Sequence, residues 1–202
     1  MHFHRSVFTF LFILLIAGCG SVPEIHYYMI DSATETFKVE NPKFDKILGI
    51  DKFETEVLYE SDRIVYRESP YEVKFYNYHR WITPPADIVT EKAIEQIAAS
   101  GLFSQVVPFP HICDVDYLIR GTIKAFEELD EQDDWYGLVR LKVEFIDMKN
   151  NSILWQDIVS KKIKVSEKKP VQLVKAIDVS LTECIHSVIP HLEQKLASEL
   201  MY

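Results

Sequence analysis

Apolar residues recur along this chain in three rhythms, and each rhythm predicts a different kind of element. The first is an unbroken run. Val7 to Ile16 holds only Thr9 as a polar residue. A membrane span needs about 20 apolar residues, so this run has instead the length of a signal-peptide core.

The second rhythm alternates every two residues. It predicts strands over His26 to Asp31 and Lys46 to Phe53, with Asn41-Pro42 as a turn signal between them. Further strands are expected over Arg63 to Arg67 and Tyr71 to Trp81. In the latter, Tyr71, Val73, Phe75 and Trp81 share one face, and Tyr76, Tyr78 and Arg80 share the other. Both faces are partly aromatic, so both are expected to be covered. A strand is predicted around Gln105 to Val107 and a longer one over Tyr117 to Phe126. Leu138 to Met148 alternates cleanly, with Val139, Leu141, Val143 and Phe145 inward and Arg140, Lys142 and Glu144 outward. Asn150-Asn151 turns it into Ile153 to Val165. There the phase of Leu154 and Ile158 opposes that of Ile163 and Val165, which predicts a bulge or bend between the two pairs.

The third rhythm is helical. Thr83 offers an N-cap, Pro84 fits the first turn, and Val89, Ala93, Ile94, Ile97 and Ala98 recur at helical spacing before Gly101. From Pro170 to Leu200, the residues Val174, Ile177, Leu181, Ile185, Val188, Leu192 and Leu196 predict an amphipathic helix up to about 45 Å long, kinked at Pro190. The element order predicts a single α+β domain: a mainly antiparallel mixed sheet with two helices packed on one face, the first helix making a crossover to a parallel neighbour. A domain of this size has a radius of gyration of about 16 Å, so the long helix should outrun it. Val174 to Ile185 are expected on the sheet, while Leu192, Leu196 and Leu200 are expected to meet a partner or a neighbouring subunit.

The first apolar run acquires a meaning from what ends it. Ile16-Ala17-Gly18-Cys19 matches a lipobox, in which small residues admit the peptidase and the Cys accepts a diacylglyceryl group. Residues 1–18 are therefore expected to be a removed signal peptide, 19–26 a lipidated tether containing Pro23, and 27–202 the folded body. Each buried CH₂ contributes about 0.8 kcal/mol, so a Cys carrying two or three acyl chains is a lasting anchor. Gly20 follows the Cys where an Asp would favour the inner membrane, which points to the outer membrane, facing the periplasm. The chain carries 22 Lys and Arg against 31 Asp and Glu. Loss of the leader removes Arg5 and no acid, taking the net charge from −9 to −10, a body repelled by nucleic acid and anionic lipid.

The chemistry-bearing residues exclude more than they assign. No G-x-S-x-G, P-loop, G-x-G-x-x-G, H-E-x-x-H or C-x-x-C occurs, so neither an enzyme class nor a nucleotide site is indicated. No cofactor is expected beyond the covalent lipid on Cys19. His186 and His191 lie five apart and do not share a helix face, so no metal site is expected. The tract Glu127, Glu128, Asp130, Glu131, Asp133 and Asp134 lacks the spacing of a calcium loop and is expected to be a solvated hairpin tip, open to a basic partner. Cys113 and Cys184 stand in a compartment that permits a disulfide; a bridge and two buried thiols are both compatible with the sequence.

The densest unusual stretch runs Arg63-Ile64-Val65-Tyr66-Arg67, Tyr71-Glu72-Val73, Tyr76, Tyr78-His79-Arg80-Trp81 and Pro84-Pro85. Tyr27-Tyr28-Met29-Ile30 precedes it, and Ser100-Gly101-Leu102-Phe103 and Tyr117-Leu118-Ile119-Arg120-Gly121 follow. In this order, behind a lipobox, the segments resemble the ABC-type transport auxiliary lipoprotein family, the PqiC-like component of MCE lipid transport systems. The resemblance covers nearly all of the mature chain; the extended tail and the His-Arg-Trp wording depart from the family pattern. It implies a non-enzymatic accessory lipoprotein, possible as a homo-oligomer, that docks an MCE-domain protein served by an inner-membrane ABC transporter. Two rivals stand beside it: an LptE-like lipopolysaccharide-assembly lipoprotein, and a membrane-tethered hydrolase for which no nucleophile is recognisable. From the residues alone, Trp81 and the tyrosines read first as packing, and Arg63, Arg67 and Arg80 as partners of acids or rings.

Overall fold

The computed structural model describes residues 23–31 and 41–199. Within them the strands are β1 (His26–Tyr28), β2 (Phe44–Asp51), β3 (Glu54–Thr55), β4 (Arg63–Ser69), β5 (Glu72–Trp81), β6 (Phe103–Phe109), β7 (Tyr117–Glu131), β8 (Asp134–Asp147) and β9 (Ser152–Lys164). The helices are α1 (Pro85–Ala99) and α2 (Pro170–Glu199), with a 3-10 turn at Val57–Tyr59. The lipobox, Cys19 and Leu200 lie outside the described residues.

All nine strands form one mixed sheet, and β7 is its spine. One edge of β7 pairs antiparallel with β8 from Tyr117 opposite Asp147 to Glu131 opposite Asp134. The other edge is shared end to end by three parallel strands. β2 takes Tyr117 to Ile119, β3 takes Thr122 and Ile123, and β4 takes Glu127 to Leu129. β6 then adds to β2, β5 and β1 add to β4, and β9 adds to β8. The long pairings are antiparallel and the short ones mostly parallel, so the α+β class and single-domain reading hold. β6 does lie parallel to β2, as a crossover requires.

Both helices cover the same face. Val139, Leu141, Val143 and Phe145 of β8 point into the core, while Arg140 on the opposite face is exposed. α2 lies on β8 and β9, and α1 lies towards β6 and β2. The helices touch where Gln96 Nε2 donates to Thr182 Oγ1 at 3.0 Å and Lys92 faces Asp178 at 3.6 Å. Gly137 permits the closest approach of sheet to helix. A Cβ there would stand 2.6 Å from Ile177 N, and Ser180 Oγ donates to the Gly137 carbonyl at 2.9 Å.

Four sequence expectations are corrected. Pro84, not Thr83, is the N-cap of α1. A residue before proline is held extended, so Pro84 at ψ 150° cannot enter the helix and Pro85 becomes its first residue. The irregularity in β9 lies at Leu154, between the pairs Ile146–Ile153 and Phe145–Trp155, and Ile158 points outward. Cys113 and Cys184 are not bridged: Cys113 is exposed after β6, whereas Cys184 is on the buried face of α2 against the Val139 carbonyl. Burial pushes the Cys184 thiol up to about 12.

The fourth correction concerns the end of α2. Leu192 and Leu196 are 0% exposed and belong to the core, so they are not partner-binding residues. The reason is a match of lengths. At about 1.5 Å per residue α2 spans about 45 Å, and the strands β7 and β8, at about 3.3 Å per residue, are equally long. The helix therefore lies on sheet throughout, running through Pro190. Its last turns are tied down by the Tyr117 hydroxyl, which donates to Glu199 at 2.8 Å, and by a Lys43–Glu193 ion pair. Leu196→Ala is expected to cost about 2–5 kcal/mol in denaturant unfolding, as Leu181→Ala does. Gly137→Ala should also destabilise, because its Cβ would meet helix backbone rather than a flexible side chain.

Candidate docking surface

The unusual segment builds the β4–β5 hairpin and the start of α1. Its alternation is broken by a wide bulge. Arg63 pairs with Arg80 and Val65 with Phe75, so Ile64 alone faces Tyr76, Asn77, Tyr78 and His79. The bulge swings these four residues out of the regular pleat. As a result β5 is only half covered, and Tyr78 is exposed. The expectation of two covered faces fails here because the bulge, not the pleat, directs the side chains.

Beneath the hairpin are two buried carboxylates side by side on β7. Arg67 grips Glu127 with both arms, Nε donating to Oε1 and Nη2 to Oε2, each at 3.0 Å. The Tyr59 hydroxyl donates to the same Oε2 at 2.7 Å. Glu128, 1% exposed, accepts from the Tyr76 hydroxyl at 2.8 Å. Burial pushes the Glu128 carboxyl up to about 8; neighbouring Asp130 adds to the rise, and the Tyr76 hydrogen bond opposes it. The phenols of Tyr59 and Tyr76 are raised in turn by burial beside these carboxylates. The acidic tract is thus corrected: Glu127 and Glu128 are interior strand residues, and the solvated tip is confined to Glu131 through Asp133. Their burial was detectable in one respect, since no turn residue separates them from the apolar run that ends at Phe126.

The other motif residues divide between frame and surface. Arg63 sits 4.0 Å above the Phe75 ring, and Arg80 reaches Asp62 at 3.3 Å. Tyr66 packs on Tyr76 with ring centroids 5.1 Å apart, and Trp81 is buried against Phe126 at 5.2 Å. Pro84 caps α1 and Pro85 is its first residue. Tyr71, in contrast, stands 96% exposed in the turn between β4 and β5. Because β4 runs parallel to β7 through Arg67 opposite Leu129, that turn comes to the same end of the sheet as Glu131 and Asp133. An exposed aromatic and an acidic tip therefore stand together.

At the far end of β7, an open cleft of about 1020 Å³ is lined by Lys46, Asp116, Tyr117, Asp147 and Glu199 among others. Three of its carboxylates are already engaged: Asp116 with Lys46 and the Ile47 amide, Asp147 with the Lys149 amide, and Glu199 with Tyr117. His191 stacks on Trp155 at 4.9 Å, and among the described residues no three His, Cys, Asp or Glu side chains converge as metal ligands.

A family model described as the ABC-type transport auxiliary lipoprotein component matches residues 28–185. A crystal structure of a protein from Xanthomonas campestris is similar with a TM-score of 0.75 and 15% identity, covering 87% of this chain and 99% of that one. An uncharacterized protein is similar with a TM-score of 0.68 and 10% identity over 84% of this chain and 99% of its own. A hypothetical protein from Chlamydia trachomatis follows at 0.52 and 6%, covering 77% and 99%. At these identities the likeness is one of fold. No curated protein matches the sequence.

Glu128 supplies a pH test of the buried site. Its folded carboxyl titrates near 8 against an ordinary 4.5, so between these values the folded state holds a proton that the unfolded state has released. Stability should therefore fall as pH rises through this window, with a slope of at most about 1.4 kcal/mol per pH unit for the single proton. Denaturant titrations from pH 5 to pH 8 should show that decline in the parent chain and a flatter profile in Glu128→Gln.

Proposed function

Because this chain belongs to the ABC-type transport auxiliary lipoprotein family, we propose that it is the non-enzymatic, membrane-tethered subunit of an MCE-type lipid transport system. Residues 1–18 are its signal peptide, cleaved at the lipobox Ile16-Ala17-Gly18-Cys19, and lipid on Cys19 holds the body 27–202 through the tether 19–26. Gly20 favours the outer membrane, with the body facing the periplasm. The observation that carries the reading is the family match across residues 28–185 directly behind a lipobox.

A subunit of this kind acts through surfaces, as a docking platform or as a homo-oligomer. With Leu192 and Leu196 in the core, the surface best suited to the MCE-domain protein is the sheet end bearing Tyr71, Glu131 and Asp133. An exposed tyrosine offers a rigid anchor of large contact area, and the flanking acids select a basic counterpart. The ATPase partner supplies the energy.

Two measurements test the proposal. Cys19→Ala should move the protein from the membrane fraction to the soluble fraction; unchanged fractionation refutes the anchor. Mild crosslinking followed by affinity purification should bring down an MCE-domain protein with the parent chain. Tyr71→Ala combined with Asp133→Lys should lose it while stability shifts by no more than about 0.5 kcal/mol, as expected of exposed positions.

A further inference from the structure

β1 inverts the usual order of a half-exposed strand. Ile25, Tyr27 and Met29 alternate onto one face and are exposed, the latter two by 59% and 65%. On the opposite face, Tyr28 donates to or accepts from His79 Nδ1 at 3.0 Å, and Ile30 is buried. A strand with one wet face places polar residues there; this one places large apolar ones. The register extends the patch sideways. Tyr27 lies beside Arg80, and Ile82 N donates to the Tyr28 carbonyl at 2.8 Å, bringing Ile82, 60% exposed, alongside Met29. Four large apolar side chains thus form one outward patch with Arg80 among them.

The position of this patch identifies what covers it. Cys19 is six residues before Ile25, and at about 3.3 Å per residue the intervening chain reaches at most about 20 Å. On the reading that Cys19 is lipidated, the patch is held within that distance of the acyl chains for the whole life of the protein. We propose that Ile25, Tyr27, Met29 and Ile82 rest in the headgroup layer of the membrane that carries the anchor, so that the lipid fixes the protein's presence and this face fixes its orientation. The composition suits that layer. Tyr is amphipathic and concentrates at membrane–water boundaries, while Arg80 is held by Asp62 and takes no part in the contact.

The test uses the full lipidated chain in vesicles of phosphatidylcholine and phosphatidylethanolamine containing a headgroup spin-labelled lipid. Native Cys113 is exposed at the far end of β7 and Cys184 is buried, so a fluorophore on Cys113 reports a site away from the patch. A second protein, Tyr27→Cys with Cys113→Ser, carries the fluorophore on the patch itself. Vesicle flotation reports the anchor, and quenching reports the face. The expected result is flotation of both proteins with several-fold stronger quenching at position 27 than at position 113. Met29→Glu with Ile82→Glu should still float and should lower quenching at position 27 to the level at 113. Flotation with equal or negligible quenching at both positions would overturn the orientation while leaving the anchor standing. Failure to float would overturn the anchor and this proposal with it. Crosslinking of position 27 to a second protein molecule in place of quenching would assign the patch to a protein partner and overturn the lipid contact.

Discussion

The structure depends on one long strand having both its edges satisfied. β7 presents fifteen residues of backbone to each side. A single hairpin partner, β8, satisfies one side, but no strand of the N-terminal half is long enough to satisfy the other. Three short strands do so in succession, with Lys52-Phe53 and the 3-10 turn filling the intervals. Unpaired backbone groups in a buried sheet are costly, so this division of one edge fixes where β2, β3 and β4 must lie. It also forces the sheet to fork. The β2–β6 arm receives α1 and closes the core, whereas the β4–β5–β1 arm covers the buried carboxylates of β7 and bears the exposed aromatic residues at its margin.

The buried acids show how a polar centre is accommodated in such a frame. Glu127 brings its charge into the interior only because Arg67 and Tyr59 reach it from a neighbouring strand and turn, satisfying both oxygens. Glu128, pointing away from that grip, is bonded by a phenol, and burial raises its carboxyl well above the ordinary range against the opposing effects of Tyr76 and Lys168. Two adjacent residues of one type are thus held in different ways, Glu127 by an arginine fork and a phenol, Glu128 by a single phenol in a buried site.

Elements were legible in the sequence where local pattern and tertiary demand agree. The clean alternation of Val139 to Phe145 and the helical spacing of Val174 to Leu196 were both read correctly, and the family segment located the hairpin. What escaped was set by distant partners. The bulge at Tyr76 to His79 follows from pairing with β1 and β4, which alternation within β5 cannot reveal. Glu127 and Glu128 read as solvated because their partners are sixty or so residues away. The fate of Leu196 turned on strand length, since β7 proved five residues longer than its apolar run and so offered the helix a surface throughout.

The seating of α2 against Gly137 has a bearing on how the protein is made. The last thirty described residues contribute a full side of the core, from Leu173 to Leu196, and among the described residues α2 is the helix that covers β8 and β9. A chain appearing from its N-terminus has strands in hand early, but their pairings are long-range, and their apolar face stays open until that final segment arrives. The apolar face of β8 and β9 therefore stays open until α2 has docked, and any partly assembled form without it presents that face to solvent.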